Sequence, residues 1–447
     1  MLHSQHQIDM LHGSLLDKIL LFSLPLAASM MLQQLFNSAD VAVVGRFDSP
    51  QAMAAVGSNG AAINLMVNLF VGLSIGANVI VAKYIGKNET QKIHDAIHTS
   101  ITLALISGVI LIIWGISIAR PILTLMNTPD DIIDLAVVYF RIYFLGMPFI
   151  MLYNFGSAIL RSKGDSNRPL WCLGIGGVIN VILNLILVII FKLSVVGVAI
   201  ATVISNVVSS LMIMYFLLHE EAPFTFKFGD LTLKKEYIVQ ILRIGLPAGI
   251  QGSLFSISNV TIQTAINSLG SYASAGSAAA LNFDFLVYYI VAAFTQAAVT
   301  FTSQNFGAGE HERCKKVFSL TMLSGVFFTG LACLICAVWS TELLSIYTTN
   351  SEVLSYADIR MIHVVAFLWM TNIYEIAGGC LRGMGYSTLP SVMVLLGCCV
   401  LRIIWVYTVF AGYHDFTMLM NVYPVSWAIT SIATMIAYYL VRKKLLA

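Results

Sequence analysis

Twelve runs of predominantly apolar sequence dominate this chain, near 19–45, 52–81, 96–119, 132–158, 170–191, 195–218, 238–268, 273–303, 317–339, 354–380, 390–411 and 418–441. Each reaches or exceeds the roughly 20 residues that carry a helix once across a bilayer. A helix satisfies its own backbone hydrogen bonds, so lipid can solvate it where an open strand edge would be left unpaired. Composition points the same way. Of 447 residues only 10% are charged and 58% are hydrophobic, against about 25% charged in soluble domains. So few charges cannot coat a water-soluble globule of this length. The expected fold is an all-α polytopic membrane protein of twelve transmembrane helices. A secreted disulfide scaffold, a nucleic-acid module and a large soluble catalytic domain are excluded. Cys333 and Cys336 have C-x-x-C spacing but sit in an apolar run without His or Asp nearby, so packing is the expected role of the cysteines.

Basic residues set the expected orientation. Only Arg46, Arg120, Arg141, Lys192, Arg360 and Arg402 of the 24 Lys and Arg fall away from one set of connections and the termini. By the positive-inside rule that basic side is cytoplasmic, together with both termini and the polar connection 219–237. The chain is expected in the cell membrane, as a monomer, with the lipid bilayer and small amphipathic molecules as its partners and no nucleic acid. The first apolar run is too long for a signal peptide and is read as the first span.

The chain repeats itself. "LRSKGDSNRP" at 160–169 recurs as "LRGMGYSTLP" at 381–390, an offset of 221, and Gly86 meets Gly307 at the same offset. Pro25 in "SLPLAAS" faces Pro247 in "GLPAGIQ" one residue out of register. With six spans in each copy, both enter the membrane in the same sense, which makes the repeat parallel about an axis along the membrane normal. The expected organisation is a six-helix bundle over 1–218, a linker over 219–237 and a second bundle over 238–447.

Three acids lie inside apolar spans: Asp40, Asp284 and Glu375. A charge near the bilayer centre costs roughly 3 kcal/mol or more, so such groups face a cavity, pair with a cation or hold a proton. Asp40 shares a helix face with Gln33 and Asn37, beside Gln34. Spans five and six offer Asn180, Asn184, Thr202, Ser205 and Asn206, and span two offers Asn64 and Asn68. If these faces converge, neutral amides and hydroxyls surround one carboxylate. Taking that carboxylate out of water favours its protonated form, and the same oxygens suit Na⁺. The competing reading places Asp40 at a hydrated helix end. Gln251, Asn259, Gln263 and Asn267 form a stripe on span seven that either bonds helices together or lines a cavity with Asp284 and Glu375. Glu375 is also seven residues from Arg382, within reach of an ion pair. Met30, Met31, Met53 and Met66 suit an adaptable apolar surface, though ordinary lipid-facing or core packing is the stronger reading of each one.

This arrangement resembles the MATE (multidrug and toxic compound extrusion) family of the MOP flippase superfamily. The likeness is carried by "LPLAASMMLQQLFNSADVAVVGRFDSPQAMAAVG" (24–57), "VAKYIGKNETQKIHDA" (81–96) and the paired "LRSKGDSNRP" and "LRGMGYSTLP". It implies two six-helix bundles and export of diverse, often cationic amphipathic compounds against inward flow of H⁺ or Na⁺. Asp40 matches the coupling acid of the first bundle, and Asn180, Asn184 and Thr202 match its partners. Some members carry an acid where Asn184 stands, and members of the NorM-like branch use acids on helices seven and ten. Here helix seven offers Gln251, Asn259 and Gln263, and Glu375 on helix ten is a partial match. The mixture favours protons over sodium, with no other cofactor.

Two other classes compete. A lipid-linked glycan flippase of the same superfamily calls for a cluster of deep cations; the span-embedded cations here are at most Arg402 and the near-terminal Arg141 and Arg360, which argues against it. A membrane enzyme calls for a His/Asp/Glu metal cluster, a nucleotide loop or a nucleophile motif, none of which is apparent. His94 and His98 are read as solvated at a helix start, and a channel is disfavoured by the repeat with its isolated acids.

Overall fold

A computed structural model describes residues 7–126 and 128–445. Among these, all regular structure is helical. Twelve long helical elements follow in order: α1 (Leu16–Phe47), α2 (Pro50–Gly86), α3 (Thr90–Leu125), α4 (Ile133–Leu145 and Met147–Ser162), α5 (Asn167–Ile190), α6 (Ser194–Leu218), α7 (Lys235–Ser268), α8 (Ser271–Gly307), α9 (His311–Val338), α10 (Ser351–Gly383), α11 (Thr388–Tyr413) and α12 (Phe416–Leu445). All have the length and hydropathy of a membrane span, α4 as a pair bent by 49°. That bend falls where Pro148 enters the first turn of its second piece, a position proline tolerates because its missing N–H has no helical partner there. Elsewhere, starts are fixed by side-chain caps: Ser49 Oγ accepts from Ala52 N at 3.1 Å, and Asn350 Oδ1 from Glu352 N at 2.9 Å.

Two compact units result. One comprises Ala28–Ile250 with the segment ending at Asp9, the other Met10–Ala27 with Gln251–Ala447. The bundles expected as 1–218 and 238–447 differ from these units by residues 10–27 and 238–250. The divisions fall inside α1 and α7, within three residues of Pro25 and Pro247. Each proline removes a helical hydrogen bond and crowds the preceding turn, the local weakness a helix needs if its two ends belong to different units.

Small residues let helices approach backbone to backbone within the first unit. A Cβ on Gly72 of α2 would lie 2.3 Å from Gly249 N of α7, and one on Gly76 would lie 2.4 Å from the Ile241 carbonyl. Buried amides tie α2 to α4: Asn78 Nδ2 donates to the Ala158 carbonyl at 2.9 Å and Asn59 Nδ2 to the Ala136 carbonyl at 3.2 Å. In the second unit Gly276 of α8 abuts the Val353 carbonyl of α10, over a core that includes Phe283, Met361, Leu368, Tyr374 and Trp427.

The repeat is present in three dimensions. Left-handed residues recur at the 221 offset, Asn88 (φ 55°) with Gly309 (φ 77°) and Gly164 with Gly385 (both φ 92°). Gly176 closes on Ser209 as Gly397 closes on Thr430, again at that offset. The connection 219–234 packs on the first unit. Phe226 N donates to the Leu217 carbonyl, Lys234 Nζ reaches Asp95 at 2.5 Å, and Lys163 and Arg168 both engage Glu220.

Candidate ion-coupling site

Asp40 lies in the part of α1 that belongs to the first unit, and it is buried, with 5% of its surface accessible. Its neighbours come from helices far away in sequence. Asn184 Nδ2 donates to Oδ1 at 2.5 Å, and the Thr202 hydroxyl donates to Oδ2 at 3.1 Å. Asn184 also donates to Asn180 Oδ1 at 3.2 Å, and Asn180 Nδ2 lies 3.4 Å from Thr202 Oγ1. The i, i+4 spacing of Asn180 and Asn184 stacks both amides on one face of α5. Immediately beyond them α5 widens into a π-helical turn, Ile186–Ile190, a local geometry common at functional sites. Among the described residues Asp40 forms no ion pair, and its hydrogen-bond partners Asn184 and Thr202 are neutral.

Two features give this ring a switchable character. The Thr202 hydroxyl lies 3.1 Å from Asp40 Oδ2 and 2.9 Å from the Val198 carbonyl, and it has one proton for two acceptors. When the carboxylate is charged that proton serves Asp40. When the acid is protonated it donates to Thr202, whose own proton turns to Val198. The second feature is Asn184 Oδ1, which is buried without a hydrogen-bond partner and is a free oxygen ligand beside the carboxylate.

Sequence reasoning missed two members of the neighbourhood. Tyr139 and Tyr143, i, i+4 on α4 with stacked rings 6.1 Å apart, lie within the electrostatic reach of Asp40. In an apolar run a tyrosine reads as packing; the i, i+4 tyrosine pair was the available signal.

The other candidates are dispersed. Gln33, Asn37 and Asn64 are exposed, while Gln34 and Asn68 are half-buried, and the Asp40 carboxylate takes its hydrogen bonds from Asn184 and Thr202 instead. Asn206 donates to the Thr202 carbonyl at 2.8 Å and so supports α6 from behind. In the second unit Asn259 and Gln263 are exposed, and Gln263 bonds Asn267 along its own helix at 2.9 Å. Gln251 accepts from Arg382 at 2.7 Å, and Arg382 also lies 4.0 Å from Glu375. Asp284 Oδ2 takes two donors from Arg360, at 2.5 and 3.1 Å. Both acids are thus held in ion pairs within their unit.

The expectation for His94 and His98 needs correction. His98 is fully buried, not solvated: its Nδ1 lies 2.8 Å from the His94 carbonyl, and its Nε2 accepts from Lys227 N at 3.0 Å. The connection also brings Asp230 within 3.3 Å of His94 Nε2. His94, His98 and Asp230 therefore do form a cluster of metal-ligating type, with one ligand atom each inside 4.8 Å. It was invisible in sequence because Asp230 arrives from a distant loop. Both nitrogens of His98 are already engaged, which makes it a staple for the connection.

A family model described as MatE matches residues 25–186 and again 247–408, one match for each copy of the repeat. The chain is 30% identical to the probable multidrug resistance protein YoeA of Bacillus subtilis, over 83% of this chain and 82% of that one. It is 22% identical to the multidrug export protein MepA of Staphylococcus saprophyticus, over 95% and 93%. Among solved structures it superposes with TM-score 0.90 and 22% identity on an outward-facing multidrug resistance MATE family transporter of the MOP superfamily, covering 98% of each chain. With twelve spans, a parallel repeat and two family matches along one sequence, this chain belongs to the MATE family of membrane transporters.

Proposed function

We propose that the chain is a multidrug efflux antiporter that exports amphipathic, often cationic compounds by alternating access, driven by inward H⁺. The observation that carries this reading is the Asp40 ring: one buried carboxylate, no cationic partner, and a hydroxyl able to reverse its hydrogen bond as the acid gains or loses a proton. Protonation removes the charge that Asn184 and Thr202 are aligned on, which loosens α1 from α5 and α6. Deprotonation restores the alignment. Coupling follows if the drug-binding arrangement of the first unit is compatible with only one of these two states. The similarity to proteins named for multidrug resistance and export supports the substrate class.

A second reading is sodium coupling, favoured by the unpartnered Asn184 Oδ1. With Asp40, Asn180 and Thr202 it offers an all-oxygen ring, the ligand type hard cations prefer. Protons are favoured because the ring holds one acid only and both its oxygens already have donors.

Ethidium efflux from proteoliposomes, with H⁺ and Na⁺ gradients imposed separately, tests both. A response to the H⁺ gradient alone is the expected result, and Asp40→Asn should abolish it while the variant stays monodisperse in detergent. Unimpaired efflux by Asp40→Asn, or no response to either gradient, removes the proposal.

A further inference from the structure

The second unit carries its own buried polar cluster where the first carries the Asp40 ring. At the repeat offset of 221, Arg360 stands in the position of Tyr139, Tyr423 in that of Thr202, and Ser426 in that of Ser205. The chemistry is inverted. The first cluster has one acid and no base. The second has two guanidiniums, Arg360 and Arg402, and one carboxylate, Asp284.

The single carboxylate is committed to Arg360 through Oδ2, and Arg360 Nη1 is satisfied by Ser277 Oγ at 2.8 Å. Among the described residues Arg402 forms no ion pair. It is 1% exposed, its Nε donates to Ser426 Oγ at 3.2 Å, and its guanidinium lies over the rings of Tyr423 (4.5 Å), Phe255 (5.2 Å) and Trp427 (6.0 Å). Its Nη2 is buried without a partner, as is Asp284 Oδ1. Aromatic faces and one hydroxyl offset only part of the desolvation of an arginine. Water joining the two unpartnered atoms would satisfy their hydrogen bonds and leave the excess positive charge in place. Glu375 is engaged with Arg382. An ionisable group inside a membrane helix with its neutralising partner missing marks a ligand or ion path.

The backbone agrees. Arg402 sits on a five-residue α-helical stretch, Leu401–Trp405, held between two π-helical segments, Leu395–Val400 and Val406–Phe410. The second corresponds by the repeat to the π-turn beside Asn184 in the first unit. The segment at 395–400 has no counterpart there. Insertions of this kind re-aim a helical side chain and concentrate at functional sites.

We propose that Arg402, supported by Arg360, is the subsite for a carboxylate on the transported amphiphile, so that acidic and zwitterionic compounds are substrates alongside cations. Phe255 is the least buried of the three rings around Arg402, and its rotation admits the ligand. The anion then occupies the unpartnered Nη2 and neutralises the cluster, with Asp284 remaining on Arg360.

This rests on the transporter reading above, and the test separates the two. Rhodamine 110 carries a free carboxylate and rhodamine 123 is its methyl ester. Binding of each to the purified full chain is read by fluorescence anisotropy, and rhodamine 123 efflux from proteoliposomes is measured in parallel. The efflux bears on the transport reading alone, the binding on the subsite alone. Arg402→Gln should weaken rhodamine 110 at least tenfold and leave rhodamine 123 within twofold. Arg402→Lys, which keeps the charge and loses the planar fork, should fall between. Equal effects on both dyes, unchanged rhodamine 110 binding in Arg402→Gln, or no rhodamine 110 binding by the native chain overturns the subsite. If Arg402→Gln does not fold, the dye ratio in Arg402→Lys decides, and an unchanged ratio overturns it.

Discussion

Asp284 and Asp40 are both buried acids inside spans, yet their surroundings assign them different work, and truncating Asp284 measures the difference. In Asp284→Ala, Arg360 loses both bonds to Oδ2, at 2.5 and 3.1 Å, and keeps Ser277 and the ring of Tyr423. Arg360 is 3% exposed and, among the described residues, pairs with no second acid. Breaking a buried pair by removing one partner costs about 3–5 kcal/mol, because the surviving charge is left uncompensated. At about 2–4 °C per kcal/mol for a unit of roughly 200 residues, the midpoint of thermal unfolding should fall by about 6–20 °C. Scanning fluorimetry in detergent reads this directly. Replacing the pair together, Asp284→Leu with Arg360→Met, removes both charges and should return the midpoint to within a few degrees of the native chain. If Asp284→Ala unfolds at the native temperature and instead abolishes gradient-driven efflux, Asp284 is an ion-coupling acid and the argument from its pairing is wrong.

Further outcomes follow from the packing. Gly72→Ala places a Cβ 2.3 Å from Gly249 N, where backbone faces backbone and nothing can rotate away; it should lower the unfolding midpoint clearly, whereas Gly57→Ala on the same helix meets nothing within 4 Å and should not. Equal midpoints for the two variants would contradict the close approach of α2 and α7. His98→Leu deprives Lys227 N–H of its acceptor, so limited proteolysis within 219–234 should accelerate several-fold while the helices stay intact, and native cleavage rates would show that the histidine does not hold the connection. Asp40→Asn should lose H⁺-driven ethidium efflux without loss of folded protein, as set out with the proposed function.

Much of this architecture is legible in one dimension because the solvent is apolar. Lipid requires every spanning segment to satisfy its own backbone, so helix number and approximate limits follow from apolar run length, and the repeat follows from spaced motifs such as those at 160 and 381. The grouping of Asp40 with Asn180, Asn184 and Thr202 was also accessible, since i, i+4 spacing places α5's two amides on one face and a lone acid needs such company. The sequence did not show which intramembrane acids have counter-ions. Glu375 lies seven residues from Arg382, but Asp284 finds Arg360 76 positions away. Nor did it show that Tyr139 and Tyr143 come near Asp40, that Asp230 meets two histidines, or that α1 and α7 change units near their prolines.

The division is physical. Hydropathy, proline, glycine and charge sidedness are one-dimensional properties, and they determined by themselves a duplicated, twelve-span membrane protein; the likeness to the MATE family rested on the motifs at 24–57, 81–96, 160–169 and 381–390. Pairing of buried charges depends on which helix faces meet, a consequence of packing between residues distant in sequence, 76 positions for Asp284 and Arg360. Only the tertiary structure could decide that Asp40 is left with neutral company, that Asp284 and Glu375 stand in ion pairs, and that Arg402 is buried without an acid beside it among the described residues.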